Sequence, residues 1–523
     1  MLETRFKRFY KHYIHKKTEI VVFISYSLLM LAFLLYHNFQ ILIHPFYEGG
    51  DAAANSILIS QAKNFSLLVG HYSRFQFNHP GPAILYLQAF SEIILHDWLG
   101  LVPTPFNAHL IAILILNSLM AGIVMYILYS HFQSLRATIP IFALMLGFIG
   151  YNSIVNSLWR ADVIASTWMP DVMFMLFFAF IVSAASVASN KVNHISLMVF
   201  TGSLLAHAYV ILPLFVVSIG FVSILLLFYR NGYKVVPFIR TNSEQLTISL
   251  LIISIFALPI VINTIVNYPG EVGKYIGYAM NKENTVNATP SLGQGLSYYA
   301  HLWASNSIHC ALILLFILAA AYYIRKTETN GKINIFFSNL YTIFVVTTAI
   351  DILYIFFILD DLKSYHAGFF YIAIPFTCTI IIGYAIFKFI AEKKIAGVVS
   401  IIAILSIAYI GFSADLTCNE PSDYYIPLIV NELSSKPELN DKTIVLDFEL
   451  DTWPKAMGIV VALDRENIPV VVPKPYWAFL FTNKFVIPPE QINENYYSLW
   501  VNSSASIGEN VIFSTPEISL MEI

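Results

Sequence analysis

The sequence predicts a mainly α, polytopic membrane protein of about eleven transmembrane helices, with a small α/β domain at the carboxyl end. Three observations carry this reading: composition, apolar blocks of membrane-crossing length, and a change of character after residue 413. Of 523 residues, 57% are hydrophobic and 12% charged, about half the 25% charge of a typical soluble domain. Mean hydropathy is +0.68. A soluble globular enzyme is excluded, and 41 Phe with 31 Tyr exclude a disordered chain. Neither a glycine triplet nor a sustained heptad is present. The net charge of −3 leaves no basic footprint, so no nucleic-acid partner is expected.

A helix crossing about 30 Å of hydrocarbon needs about 20 apolar residues. The first block, 20–43, is too long for a signal-peptide core and has no small-residue cleavage site after it, so it reads as an anchor. The others are 107–129, 139–158, 167–188, 194–212, 213–229, 246–267, 305–324, 333–359, 368–389 and 395–412. The break between Leu212 and Pro213 is inferred from one proline in a continuous apolar run. Orientation follows from basic residues. Arg5, Lys7, Arg8, Lys11, Lys16 and Lys17 hold the amino terminus in the cytoplasm, and counting spans puts Arg136, Lys191, 230–240, 325–332 and 388–394 on the same side. Were 194–229 a single helix, the later basic loops would fall outside.

The opposite, extracytoplasmic side then receives 44–106, 159–166, 268–303 and 360–367, together with the carboxyl-terminal segment. The expected domains are a transmembrane domain over 1–413 and an extracytoplasmic α/β domain over 414–523. In the latter, the patterns predict strands at 443–448, 469–472 and 511–513 and helices at 425–434 and 453–465. It has no Gly-rich phosphate loop. Cys310, Cys378 and Cys418 suggest no structural bridge.

The most informative stretch is the first outer loop. Asp51 falls just after the first span, where partial desolvation can raise a carboxyl pKa toward the working pH and suit it to accept a proton. The alternative is that it caps a helix beginning at Ala52, and one residue can do both. His71, Arg74 and His79 form a cationic or switchable cluster in a loop whose only other lysine or arginine is Lys63. The planar fork of Arg74 suits a phosphate; a salt bridge to Glu48 or Asp51, or snorkelling to headgroups, is the alternative. Tyr72, Phe75 and Phe77 suit interfacial anchoring, and Pro80-Gly81-Pro82 suits a turn before an apolar helix over 83–95. Arg160, Asp162, Asp171, His207, Lys363, Tyr365 and His366 repeat similar chemistry at outer positions. Ionisable groups at span ends are commonly solvated caps; here their common side raises the signal. No metal-ligand spacing on one helix and no nucleophilic triad stands out, so no cofactor is expected. A divalent ion between Asp51 and Asp162 is only weakly signalled.

This pattern of many spans, an acidic residue just past the first, amphipathic outer-loop helices and an outer α/β domain resembles the GT-C membrane glycosyltransferases. These include protein O-mannosyltransferases and the lipid A aminoarabinose transferase. Tyr72-Ser73-Arg74-Phe75 leading to Asn78-His79-Pro80-Gly81-Pro82 is similar to a bacterial branch of that superfamily, as are Trp168-Met169-Pro170-Asp171 and 453–473. The resemblance implies a glycosyltransferase of the bacterial cytoplasmic membrane, transferring a hexosyl or pentosyl group. The donor would be a polyprenyl-phosphate sugar and the acceptor a glycan, lipid or protein at the outer face. Asp51 matches the family's first-loop acid and would be the general base, with Glu48, across two glycines, the other candidate. Arg74, Arg160, Lys363 and His366 would hold the donor phosphate. His71, Tyr72, His79, Asp162, His207 and Tyr365 would line the substrate site. Rival readings are an O-antigen polymerase or ligase, whose chemistry usually sits in a late loop, and a lipid-sugar flippase or transporter, which would need charges near mid-span.

Overall fold

The computed structural model describes residues 2–155, 163–281, 290–303, 307–359, 362, 372–392, 396–436, 442–502, 511–514 and 519–522. It is mainly helical, as expected. In chain order come α1 Leu2–Ile43, α2 Gly50–Lys63, α3 Ala83–Ser91, α4 Pro105–Phe132, α5 Leu135–Val155, α6 Met169–Ala188 and α7 Ile195–Ala208. Next are α8 Leu212–Asn231, α9 Val235–Thr241, α10 Ser243–Val266, α11 Gly270–Asn281, α12 Leu292–Trp303, α13 Ser307–Thr327 and α14 Gly331–Phe357. The last are α15 Ala373–Glu392, α16 Ala396–Ser413, α17 Ile426–Ser434, α18 Trp453–Arg465 and the single turn α19 Ala478–Phe481. Each of the eleven anticipated spans overlaps a helix, that over 194–212 being only 14 residues long, and among the described residues 8 helices are long and apolar enough to cross a membrane. The break expected beside Pro213 falls between α7 and α8, where Pro213 occupies the first turn of the second helix.

The chain divides into two compact units. The first comprises Met1–Phe39, Ile113–Leu258 and Tyr278–Cys418. At its centre is α6, whose Phe174, Phe177, Phe178 and Phe180 are at most 1% exposed. Phe376 of α15 meets Phe178 and Phe174 edge-on at 4.7 and 4.9 Å between ring centres. Helices α5 and α16 approach closely through small residues: a Cβ on Gly150 would lie 2.6 Å from Gly411 Cα, the backbone-to-backbone packing by which apolar helices associate without a hydrophobic driving force.

The second unit comprises Gln40–Ala112, Pro259–Gly277 and Asn419–Ile523. Its strands are β1 Tyr72–Ser73, β2 Phe77–Asn78, β3 Thr443–Phe448, β4 Val470–Val471, β5 Tyr496–Asn502, β6 Val511–Ser514 and β7 Ser519–Glu522. The larger sheet has the order β4-β3-β5-β7-β6. β3 lies parallel to β4 and β5, with Val445 opposite Val471 and Ser498, while β7 runs antiparallel to β5 and β6. The β3 and α18 boundaries match the expected ranges. β5 and β7 were not anticipated from the sequence.

Ile444 and Leu446 of β3, Met457, Ile459 and Val460 of α18, and Ile429 and Leu433 of α17 share one core with Ala53, Ala54 and Ile57 of α2. Helix α2, from the loop after the first span, therefore packs with the carboxyl-terminal segment as one hydrophobic body. The apolar stretch expected over 83–95 forms α3 and then turns π-helical over Glu92–Trp98.

Candidate functional site

All of the first-loop residues singled out above fall in the second unit. Asp51 is placed by the start of α2. Gly49 is the N-cap in extended conformation, and Gly50 follows at φ +54°, a left-handed backbone that glycine adopts without strain. Asp51 therefore does not cap a helix beginning at Ala52. It lies within the first turn, where the helix's positive end favours a carboxylate.

The partner it meets there is Tyr72, whose phenol donates to Asp51 Oδ1. Burial, reinforced by the charge of Asp51, pushes the Tyr72 pKa far above the ordinary phenol value, so this hydroxyl remains a donor. Tyr72 is delivered by the β1–β2 hairpin, in which it stands opposite Asn78. The hairpin continues through Gly70 N–H to His79 O at 2.8 Å and His79 N–H to His71 O at 2.7 Å. A Cβ on Gly70 would meet Gly81 O at 2.7 Å, so the doubled-back chain needs glycine there. On its far side, Asn78 N–H donates to Glu271 Oε2 at 2.7 Å and Tyr275 Oη donates to Asn78 O at 2.5 Å.

His71 and His79 are 4% and 7% exposed. Burial pushes both imidazoles down to about 3, helped at His71 by its neighbour His79. Of the expected cationic cluster, the two imidazoles are therefore neutral at neutral pH, which leaves Arg74. It is exposed, with its guanidinium 5.2 Å above the Phe75 ring, and among the described residues it pairs with neither Glu48 nor Asp51.

Glu48 occupies a different environment from Asp51. Its side chain is buried, and Oε1 accepts from Arg465 Nη2 and from Ser56 Oγ, each at 2.6 Å. Burial alone would raise its pKa; Arg465 outweighs that and holds the carboxyl below the usual range. The flanking backbone is fixed as well, by Gly49 N–H to Pro421 O at 3.0 Å and Asp423 N–H to Tyr47 O at 2.9 Å. Gly458 of α18 lets this segment pass, since a Cβ there would meet Glu48 O at 2.8 Å.

Lys63, the other basic residue of the loop, is committed to a second network. Its Nζ lies 2.6 Å from Glu92 Oε1 and 2.7 Å from Asp97 Oδ2, while Glu92 Oε2 is 2.7 Å from His109 Nε2. Burial opposes the charge on Glu92, but His109 and Lys63 together hold its carboxyl down at about 2.

In the first unit, His207 Nε2 donates to the Phe256 carbonyl at 2.6 Å, tying α7 to α10. Asp171 is buried in the first turn of α6. Arg160, Asp162, Lys363, Tyr365 and His366 lie outside the described residues, as does the Asp162 half of the weakly signalled ion site. Sequence reasoning missed Arg465 and Glu271. Arg465 reads as a basic residue closing an amphipathic helix, which a helix C-terminus favours by itself, and nothing near it in sequence signals Glu48.

No protein-family model matches the chain, and no curated protein matches it. Among solved structures, it is similar to the oligosaccharyltransferase of Archaeoglobus fulgidus in complex with Zn and sulfate, at 12% identity and a TM-score of 0.39, covering 92% of this chain and 67% of that one. The same archaeon's oligosaccharyltransferase AglB with an inhibitory peptide and a dolichol-phosphate gives 11% identity, TM-score 0.38, and coverage of 93% and 69%. The apo form gives 10%, 0.38, and coverage of 85% and 63%. The chain thus spans about two thirds of the length of these proteins. With TM-scores of 0.38 to 0.39, its chemistry has to come from its own side chains.

Proposed function

We propose that the protein is a membrane glycosyltransferase that moves a hexosyl or pentosyl group from a polyprenyl-phosphate donor to a cell-envelope acceptor. The reaction takes place at the outer face of the bacterial cytoplasmic membrane, with Asp51 as general base. The observation that carries this reading is the Tyr72 to Asp51 hydrogen bond at the start of α2, just beyond the first apolar helix. The multi-span fold and the GT-C-like first-loop sequence support the class of reaction.

Asp51 suits the base better than Glu48 does. The Glu48 carboxylate is enclosed and engaged by Arg465 and Ser56, so it holds the loop in place. The protonated Tyr72 phenol orients the Asp51 carboxylate. As the acceptor hydroxyl attacks the anomeric carbon, its proton passes to Asp51, the anomeric C–O bond breaks, and the polyprenyl phosphate departs with the bonding pair. Arg74, exposed beside this turn, offers a paired donor to the leaving phosphate as charge develops on it. Within the first unit, an apolar cleft of about 380 Å³ lined by Phe148, Tyr151, Phe316, Pro375 and Ile407 offers volume suited to an isoprenoid chain.

The test compares polyprenyl-linked sugars and surface glycans in cells with the native protein, with none, and with Asp51→Asn. Accumulation of a lipid-linked monosaccharide and loss of one glycan decoration in both deficient strains is the expected result. Full decoration with Asp51→Asn in the membrane at native level would remove the mechanism.

A further inference from the structure

The carboxyl-terminal segment presents, from α18 and the loop around α19, an aromatic surface that the proposed transfer chemistry does not use. Trp477 and Phe479 lie 5.9 Å apart between ring centres with only 25° between their planes. Phe479 is 6.1 Å from Tyr72, the residue bonded to Asp51, and Trp453 is 6.2 Å from Trp477. Trp453 also reaches the first turn of α2, its Cη2 standing 3.7 Å from where a Cβ on Gly50 would be. Tyr476, 72% exposed, meets Phe479 edge-on at 6.2 Å and 70°.

This surface is held from beneath. Phe448 of β3, 1% exposed, meets Trp477 edge-on at 5.2 Å, and buried Phe481 lies 6.4 Å from Trp477. The loop bearing the rings is a 3₁₀ turn, Pro475–Trp477, followed by α19, and it ends at Thr482 with φ +61° and ψ 166°. A β-branched residue avoids that region at a cost of about 1–3 kcal/mol, and such strain persists where surrounding contacts dictate the conformation. An ordinary extension of the core would bury these rings, yet Trp453, Trp477 and Phe479 remain half-buried and Tyr476 open.

We infer that Trp453, Tyr476, Trp477 and Phe479 form a subsite for a saccharide ring of the acceptor, next to the Tyr72–Asp51 pair. This inference rests on the glycosyl-transfer reading above. Near-parallel aromatic faces carry the negative side of the ring quadrupole, which meets the C–H groups on one face of a pyranose. The carboxylate and phenol alongside match hydroxyls at that ring's edge. An acyl chain would instead call for a deep apolar cavity, and a peptide docking by strand addition for a row of unpaired backbone groups. The acceptor class is therefore a glycan.

The test is equilibrium binding to the full chain in lipid nanodiscs without donor, followed by tryptophan fluorescence. Chitotetraose, mannotetraose and maltotetraose are the saccharide probes, with an uncharged acetylated pentapeptide and dioctanoyl phosphatidylglycerol for comparison. The expected result is saturable binding of at least one tetrasaccharide, weakened about tenfold by Tyr476→Ala and by Trp477→Ala. Tyr476→Ala, at an open position, keeps the native melting temperature. No saccharide binding, binding indifferent to both variants, or saturable binding of the peptide or lipid alone overturns the subsite. Failure of the transfer reading shows separately: it leaves saccharide binding intact while cells lacking the protein keep a normal glycan profile.

Discussion

Arg465 Nη2 stands 2.6 Å from Glu48 Oε1, tying the end of α18 to a residue 417 positions earlier. Glu48 is enclosed, whereas the Arg465 side chain is 32% exposed, so only the carboxylate depends on its partner for solvation. Removing one member of such a pair costs more than removing both. Arg465→Ala is expected to destabilise the second unit by about 3 kcal/mol. Glu48→Gln with Arg465→Met should lose less than the two single changes added together. Thermal unfolding of the purified protein measures both, and strict additivity would mean that the pair is not coupled.

Acid should weaken the protein in two stages. His71 and His79 titrate near 3 when folded, below their unfolded value of about 6.5. The unfolded state thus takes up protons first, and stability present above pH 6.5 is lost as pH falls toward 3. At pH 5.5 the loss is about 1.4 kcal/mol per histidine. Glu92, at about 2 when folded, adds a loss between roughly pH 4.3 and 2. Melting curves from pH 7.5 to about 2 check this, and His79→Gln should flatten the upper part.

In the proposed mechanism the Tyr72 hydroxyl, which donates to Asp51, orients the carboxylate without itself exchanging a proton. Tyr72→Phe should lower turnover about tenfold, whereas Asp51→Asn should lower it by a factor on the order of 10² to 10⁴. Single-turnover transfer from a labelled polyprenyl-phosphate sugar separates the two. Equal losses would place the phenol in the chemistry.

Arg74→Ala should raise the concentration of lipid donor needed for half-maximal rate by roughly ten- to a hundredfold, with little change for the acceptor. Arg74→Lys should recover only part of this, because an ammonium lacks the paired fork. Initial rates with each substrate varied in turn give the answer, and an unchanged donor dependence would sink the phosphate role.

Much of the fold was legible because membrane helices announce themselves locally: each span is an apolar run of fixed length, and β3 and α18 follow their own periodicity. Asp51 and Tyr72 were also visible as candidates, since polar residues in an apolar chain attract notice. Their hydrogen bond was not legible, because it depends on the hairpin folding back across Gly70. Glu48 and Arg465 are still further apart in sequence, and no local period reports such a pair. β5 escaped because Tyr496 and Trp500, large rings alternating with Tyr497, Leu499 and Val501, blur the apolar-polar alternation that marks a half-buried strand.

The shared core of α2 with α17, α18 and β3 also bears on how the protein is made. Ile57 waits for Ile429 and Met457, which leave the ribosome some 370 to 400 residues later. At about 5–20 residues per second, that is a delay of roughly 20–80 s. Through that interval the apolar face of α2 lacks its permanent cover. A chaperone or the insertion machinery itself must shield it, and a nascent chain halted before α18 should be degraded, however well its earlier helices have inserted.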